Sequence, residues 1–361
     1  MPRNTDKRPL PQQHKRSVHN NYHGRCIYMI TICTEGRLPL LGTLVGNSAE
    51  TAVVQPSQLG QEVLRCWNSI PALQKQFAQD KTLRTGMLCQ RDISLIVCQL
   101  MPDHFHGILF VHNEMDVSVG DVVRGFMVGC TKVYNTFNKT TGNPKPIWEK
   151  GYHDRILIEK GQLQRMVDYV RDNPRRLWLK TQHPDLFRIH RKTVVRGLEF
   201  TSLGNHFLLD WPERQLIEVS RSASDEQVQQ LLQSAIVAAQ NGVITYTAAI
   251  SKGEQLIART LREQGFPLVI LLSNGFPTEN SPTAKYYKPG GTYFEACAAG
   301  RLLLLEPAAE VYESPNVRLA VEKVLHQKAA DKHLSFSHIP VTTERYRFVA
   351  LNQMGRLLVE G

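Results

Sequence analysis

The sequence lacks several features that would place the protein in a special class. No apolar stretch approaches the roughly 20 residues that a membrane-spanning helix requires. Residues 1–25 are polar and basic and contain no hydrophobic segment of a signal peptide. The seven cysteines are odd in number and form no Cys-x-x-Cys pair, which favours reduced thiols. These absences predict a cytoplasmic protein that makes no use of a membrane.

Basic residues outnumber acidic residues only in the first part of the chain. The chain of 361 residues has 43 Lys and Arg against 33 Asp and Glu, a net charge of +10. Residues 212–361 hold 15 of each sign, so residues 1–211 carry the whole excess. A domain this basic attracts a polyanion, and nucleic acid is the usual one. A well-solvated basic surface without such a partner is the alternative.

The length and the changes in composition predict two domains. We expect a flexible basic arm at 1–25, a first domain at 26–180, a basic connector at 181–211 and a second domain at 212–361.

The first domain alternates between strand and helix patterns. Alternating or β-branched apolar runs predict strands at 26–33, 83–90, 94–100, 104–111 and 147–158. Apolar residues three or four apart predict helices from 57, at 119–138 and at 161–173. The first helix ends near Pro71 or continues beyond it with a kink, and Pro174 ends the third. This order predicts an α+β domain, a ferredoxin-like antiparallel sheet with helices on one face.

Two histidines on one predicted strand are the first candidate functional residues. His104 and His106 follow the Pro102-Asp103 break and project from the same face of the strand, whereas Phe105 projects from the other. Two imidazoles on one rigid face can bind the same metal ion. The alternative is a pair of polar side chains on the open face of a half-buried sheet.

A tyrosine and an asparagine share one face of the third predicted helix. Tyr169 and Asn173 are four residues apart, about 90° around the helix from its apolar stripe. They therefore lie at the boundary between core and solvent, where they can reach an adjacent sheet. Taken singly, Tyr169 could be an amphipathic boundary residue and Asn173 the end of a helix before a proline.

Together these segments resemble the single-tyrosine HUH transposases, and among them the REP-associated tyrosine transposases. The ordered resemblance covers residues 20–180 and includes the patterns M-P-[ND]-H-x-H and Y-[IV]-x-x-N-P. The matching segments are 28–33 with Arg37 and Leu41-Gly42, Met101-Pro102-Asp103-His104-Phe105-His106-Gly107, 122–126, 147–155, and Tyr169-Val170-Arg171-Asp172-Asn173-Pro174.

The resemblance implies an HUH nuclease fold and a DNA-cleaving enzyme. His104, His106 and Asn173 would bind Mg²⁺ or Mn²⁺, and Tyr169 would be the nucleophile. The enzyme would nick and rejoin single-stranded or hairpin DNA through a 5′-phosphotyrosine, as a monomer or homodimer without a small-molecule cofactor. Tyr134 and Tyr152 are rival tyrosines that we predict to be structural.

Other functions stay open at this stage. A replication initiator or relaxase-like nuclease belongs to the same class, although it generally has a different order of histidines and tyrosine. A catalytically inactive DNA-binding protein or repressor, with a nucleotide-binding accessory domain, is the alternative from another class. The sequence also leaves open whether His153 and Asp154 face the site.

A basic segment with interspersed aromatic residues follows the tyrosine. Such a segment suits a single strand or hairpin, because cations contact phosphates while aromatic rings stack on bases. A solvated connector is the alternative. The residues predicted to bind DNA are Arg171, Arg175, Arg176, Lys180, Arg188, Arg191, Lys192 and Arg196.

The second half alternates strands and helices in a pattern typical of a doubly wound, Rossmann-like α/β domain. It resembles, faintly, the core of the DNA-processing protein A family at 219–222, 250–254 and 272–275, although the glycine of the first turn is absent. Lys252-Gly253 at a helix N-terminus could hold an anion. An interaction or stabilising module is the alternative, since this half has no net charge.

Overall fold

The computed structural model describes residues 21–79, 91–138, 146–273, 276 and 291–360. The chain divides into two compact units, residues 1–179 (unit 1) and 180–361 (unit 2). The predicted strand at 83–90 and residues 1–20 of the predicted arm lie outside the described residues. None of the helices in the described ranges combines the length and the apolar character needed to cross a bilayer.

Unit 1 is an α+β unit built on one antiparallel sheet. The four strands of this sheet lie in the order β4-β5-β1-β6, and β2 pairs with β3 in a separate hairpin. The elements are β1 (Cys26–Cys33), β2 (Gly42–Val45), β3 (Val53–Pro56), α1 (Gln58–Gln79), β4 (Ile93–Met101), β5 (His104–Val111), α2 (Val119–Phe137), β6 (His153–Ile156) and α3 (Gln162–Gln182), whose last turn enters unit 2.

The sheet of unit 1 has a helix layer on each face. Ile30 of β1 and Phe105 of β5 belong to the core formed with α1 and α2. Ile108 of β5, one residue out of phase with Phe105, packs with Val167 and Val170 of α3 on the opposite face. The prediction of helices on one face only is therefore wrong. Because strand side chains alternate, α3 covers the face from which His104 and His106 project.

Two prolines lie inside helices of unit 1. Pro71 is within α1, which continues to Gln79, and Pro174 is within α3, which continues to Gln182. The prediction that Pro174 ends the third helix is wrong. A proline removes one backbone donor from a helix, and the helix persists where other contacts compensate for that loss. Unit 1 supplies such a contact beside Pro174, as described below.

Residues 21–25, which we predicted as the end of a flexible arm, are attached to unit 1. The backbone N–H of Met115 donates to the carbonyl of His23, and the N–H of Val119 donates to the carbonyl of Tyr22, both at 2.9 Å. The helix α2 begins beside them with a capping box, in which Ser118 and Asp121 satisfy each other's backbone N–H.

Unit 2 is an α/β unit with a six-stranded sheet in the order β7-β8-β12-β11-β10-β9. Strands β9 to β12 are parallel, and β8 is antiparallel to both β12 and β7. The elements are α4 (Pro184–Phe187), β7 (His190–Val195), β8 (Leu198–Gly204), β9 (Arg214–Leu216), α5 (Asp225–Gln240), β10 (Ile244–Thr247), α6 (Lys252–Glu263), β11 (Leu268–Leu271), α7 (Thr292–Ala298), β12 (Leu302–Pro307), α8 (Pro315–Ala330) and α9 (Glu344–Glu360).

Residues 181–211, predicted as a connector, belong to this sheet. They include β7 and β8, and unit 2 begins at residue 180 instead of 212, whereas unit 1 ends within one residue of the predicted bound of 180. The strand β7 is at the edge of the sheet, and exposed Arg191 and Lys192 on it give the segment a solvated composition. Charged residues, especially lysine, are common on edge strands because they discourage pairing with another chain.

The prediction of a doubly wound sheet is also wrong. Strands β9, β10, β11 and β12 are neighbours in chain order, with no reversal among the described strands. The connecting helices α5, α6 and α7 pack in one core, whereas α8 and α9 pack in the core on the other face. Doubly wound sheets bind ligands in the crevice where the strand order reverses. Among the described residues, the parallel strands of unit 2 form no such crevice.

Candidate metal and nucleophile site

The two histidines lie side by side on the face of the unit 1 sheet that α3 covers. Their ring centroids are 4.7 Å apart, and the rings meet edge to face at 85°. His106 is 5% exposed, and His104 is the more accessible of the two. In the antiparallel pairing with β1, His104 is opposite Cys33 and His106 is opposite Thr31.

Each imidazole is held through its Nδ1 atom. Nδ1 of His104 lies 2.6 Å from Oδ1 of Asp103, and Nδ1 of His106 lies 2.8 Å from Oγ1 of Thr31. Oδ2 of Asp103 is in turn 3.3 Å from a guanidinium nitrogen of Arg37. Because a carboxylate only accepts, Nδ1 of His104 carries a hydrogen. Such partners typically orient metal-binding histidines.

Two ionisable groups of this cluster, His106 and Asp103, have lowered pKa values. Burial, together with the nearby positive charges of His104 and Arg37, lowers the pKa of His106 to about 3. Burial opposes ionisation of Asp103, but the hydrogen bond and charge of His104 and the charge of Arg37 hold its pKa below the usual value. His106 is therefore neutral, and Asp103 is a carboxylate.

Tyr169 of α3 lies next to His106. Their ring centroids are 5.8 Å apart at an interplanar angle of 68°, and Tyr169 remains 36% exposed. On the helix side, Cζ of the buried Arg176 is 5.4 Å from the centroid of the Tyr169 ring. Arg176 is oriented by Asp172, whose Oδ2 is 3.1 Å from its Nε. This cation–π arrangement holds the tyrosine ring while leaving it accessible.

Asn173 lies one helical turn after Tyr169 and is almost fully buried. Its Nδ2 donates to the carbonyl of Tyr169 at 2.8 Å and to the carbonyl of Val170 at 3.3 Å. Both hydrogen bonds are donated by the nitrogen. Within the described part of the chain, Oδ1 of Asn173 accepts no hydrogen bond. An amide oxygen with a free lone pair is a ligand for hard divalent cations.

These side chains offer a mixed nitrogen and oxygen donor set. Among the described residues, no three His, Cys, Asp or Glu side chains are grouped to hold a metal ion. The candidate donors in this part of unit 1 are the imidazoles of His104 and His106 and the amide oxygen of Asn173. The amide oxygen suits a hard cation such as Mn²⁺ or Mg²⁺, and imidazole nitrogens are ligands for many divalent metals.

The rival tyrosines lie elsewhere. Tyr134 and Tyr152 pack against the core formed with α1 and α2, as predicted for structural residues. The two residues of β6 that the sequence left open have opposite orientations. His153 pairs with Thr31 and so faces the side of His106, whereas Asp154 pairs with Ile30 and faces the other side.

The eight basic residues predicted to bind DNA are divided between the units. On α3 in unit 1, Arg171 is exposed, Arg175 bonds to Asp172 at 2.6 Å, and Arg176 is buried beside Tyr169. In unit 2, Nζ of Lys180 lies 5.8 Å from the ring centroid of Phe294. The other four residues are exposed, and they are Arg188, Arg191, Lys192 and Arg196.

The turn proposed for an anion in unit 2 contains an acidic side chain. Glu254 is buried, and its carboxylate accepts hydrogen bonds from the backbone N–H groups of Val219 at 3.0 Å, Ile250 at 2.6 Å and Ser251 at 3.1 Å. The carboxylate therefore occupies amides that an anion near Lys252 would need. This arrangement supports a structural role for the turn.

The sequence did not predict the contacts that four residues make at the site: Thr31, Arg37, Asp103 and Arg176. The contact of Asp103 could have been predicted from the sequence, because Asp103 directly precedes His104. Thr31 could be found only from the pairing of β1 with β5.

Comparisons with known proteins give distant similarities. No protein-family model matches the chain. An uncharacterised protein of Haemophilus influenzae is 23% identical over 192 residues, which are 47% of this chain and 92% of that protein. A solved structure of a REP-associated tyrosine transposase bound to a REP hairpin has a TM-score of 0.28 and 15% identity over 44% of this chain and 73% of its own. At these levels neither similarity shows to which family this chain belongs.

Proposed function

We propose that this protein is a metal-dependent DNA strand transferase of the tyrosine transposase type, with Tyr169 as its nucleophile. The observation that carries the proposal is the position of Tyr169, 5.8 Å between ring centroids from His106 and one turn from Asn173. A tyrosine beside a pair of histidines, with an amide one helical turn away, offers a nucleophile and potential metal-binding groups for phosphoryl transfer.

The architecture of unit 1 supports the proposal. Apart from the β2–β3 hairpin and α3, the order of elements is β-α-β-β-α-β, the order of a ferredoxin-like fold. In this fold the two central strands are β5 and β1, which carry His104, His106 and Thr31. The histidine pattern that resembles the HUH transposases leads into β5, and the tyrosine pattern lies on α3.

The reaction is a transesterification at phosphorus. The hydroxyl oxygen of Tyr169 attacks a DNA phosphate, its bond to phosphorus forms, and the bond from phosphorus to the 3′-oxygen breaks. The phenolic proton leaves the tyrosine, and the 3′-oxygen gains a proton. The products are a 5′-phosphotyrosine and a free 3′-hydroxyl, and reversal with another 3′-hydroxyl joins strands without ATP.

Individual side chains have separate roles in this scheme. Nε2 of His104, Nε2 of His106 and Oδ1 of Asn173 would hold Mg²⁺ or Mn²⁺, which supplies Lewis-acid polarisation of the scissile phosphate. Arg176 fixes the ring of Tyr169 through its cation–π contact. Asp103 keeps His104 in the tautomer that presents Nε2.

The charge of unit 1 suits a nucleic-acid substrate. Residues 1–179 contain 23 Lys and Arg against 15 Asp and Glu, a net charge of +8. Such an excess attracts the phosphate backbone irrespective of base sequence. We therefore propose single-stranded or hairpin DNA as the partner, with Arg171 among the exposed cations next to the site.

The test is a covalent trapping assay with labelled hairpins. A pool of DNA stem-loops of varied sequence carries a fluorophore at the 3′ end, because cleavage attaches the protein to the 3′ fragment. With Mn²⁺ we expect a labelled protein band that survives denaturing electrophoresis. EDTA, Tyr169→Phe and His104→Ala should each abolish the band.

Tyr134→Phe and Tyr152→Phe are matched controls, since they remove the same hydroxyl from tyrosines outside the site. An adduct that persists in Tyr169→Phe would contradict the assignment of the nucleophile. Hairpin binding without any adduct would instead favour a DNA-binding protein or repressor.

A further inference from the structure

A backbone donor is missing from α3 beside the proposed metal ligand. In an α-helix the N–H of each residue bonds to the carbonyl four residues earlier. Pro174 has no N–H, so the carbonyl of Val170 lacks its usual partner. A buried carbonyl without a donor is unfavourable, and Val170 is fully buried.

The side chain of Asn173 supplies the missing donor. Its Nδ2 lies 3.3 Å from the carbonyl oxygen of Val170 and 2.8 Å from that of Tyr169. The amide nitrogen has two hydrogens, and each can serve one of these carbonyls. The side chain therefore bonds to its own helix in place of the backbone.

This arrangement determines which end of the amide leaves the helix. Rotating the amide by half a turn would place Oδ1 against two carbonyl oxygens and would lose both hydrogen bonds. With the nitrogen held on the helix, Oδ1 is the atom left for a cation. The carbonyl of Tyr169 is one of the two acceptors, so the side chain of Asn173 is also hydrogen-bonded to the backbone of the proposed nucleophile.

We propose that Pro174 is a positioning residue, which recruits the amide nitrogen of Asn173 to the helix backbone and so presents Oδ1 as a metal ligand. The role rests on the metal site of the proposed function. Any other residue at 174 would offer its own N–H to Val170 and would release the amide of Asn173 from that bond.

The first test compares two proline substitutions in the full-length protein. Pro174→Ala restores the N–H and should lower the affinity for Mn²⁺ by about tenfold. The affinity is measured from the electron paramagnetic resonance signal of free Mn²⁺. Pro71→Ala is the matched control, because Pro71 also lies inside a helix of unit 1 but follows Ile70, which has no amide side chain. We expect its affinity to equal that of the wild type.

Thermal unfolding separates positioning from damage to the fold. Both substitutions replace a helical proline by alanine, so neither should lower the melting temperature. A weaker Mn²⁺ site in a protein that is as stable as the wild type is the expected result for Pro174→Ala.

A second measurement requires no metal. In protein labelled with ¹⁵N-asparagine, the side-chain NH₂ signal of Asn173, assigned from its loss in Asn173→Ala, should exchange slowly with solvent. Pro174→Ala should accelerate this exchange, and Pro71→Ala should leave it unchanged.

The outcomes distinguish the two proposals. Unchanged Mn²⁺ affinity and unchanged exchange in Pro174→Ala, with binding that still depends on His104, would overturn the role of Pro174 and leave the proposed function in place. A wild-type protein that binds no Mn²⁺ would refute the proposed metal site, and with it this role of Pro174.

Discussion

Mild acid should destabilise unit 1 through His106. The folded protein holds this imidazole neutral, because burial and the neighbouring positive charges lower its pKa to about 3. In the unfolded chain the imidazole titrates near its ordinary value of about 6.5. Below that pH the unfolded state binds a proton that the folded state does not, so stability is full above pH 6.5 and falls as the pH falls toward 3.

The magnitude follows from the two pKa values. Where the unfolded state binds one proton more than the folded state, each unit of falling pH lowers the free energy of unfolding by about 1.4 kcal/mol. Between pH 7 and pH 5 the loss due to His106 alone is about 2 kcal/mol, after allowance for partial protonation near pH 6.5. This is a large fraction of the stability of an ordinary domain, about 5–15 kcal/mol.

Urea unfolding monitored by tryptophan fluorescence can measure this loss. Trp211→Phe serves as the parent, since it leaves Trp67, Trp148 and Trp178, which all belong to residues 1–179. Stability is determined at pH 7 and pH 5 in EDTA for the parent and for His106→Gln, which cannot be protonated.

Other groups that titrate contribute equally to both proteins, so the difference between them isolates His106. We expect the parent to lose about 2 kcal/mol more than His106→Gln. Equal losses in the two proteins would refute the assignment of a buried, neutral imidazole.

Two further substitutions test the packing around each sheet. Glu254→Ala leaves three backbone N–H groups of unit 2 without their carboxylate acceptor and should lower the free energy of unfolding by roughly 3–5 kcal/mol. The loss is measured from Trp211 fluorescence, and a loss under 1 kcal/mol would contradict the structural role of Glu254. Gly107→Ala places a Cβ against the ring of Trp67, closer than van der Waals contact, and should cost roughly 1–3 kcal/mol in urea unfolding. Gly125→Ala, with open space around it, should be neutral or stabilising.

Local patterns predicted much of the secondary structure. The strand at 26–33 has the predicted bounds because it is mostly apolar and five of its eight residues are β-branched or aromatic. The helix α5 begins directly after Ser224, which provides a clear N-terminal cap. The predictions of an α+β unit followed by an α/β unit are confirmed at that level.

Features that depend on contacts distant in sequence were not predictable. The sequence pattern of α3 shows an apolar stripe but does not indicate which face of the sheet receives it. The edge strand β7 has the composition of a solvated segment, and only its pairing with β8 identifies it as a strand. The winding of unit 2 likewise depends on strand order, which no local pattern encodes.

The incorrect prediction at Pro174 and the candidate site have the same physical origin. Proline usually ends a helix because a buried carbonyl is left without a donor. Here Asn173 provides that donor with its side chain, so the helix continues and the amide orientation is fixed in the same contact. A rule based on local sequence fails where a side chain supplies the missing hydrogen bond, and such exceptions are concentrated at functional sites. The asparagine–proline pair thus links the continuity of α3 to the geometry around His104, His106 and Tyr169.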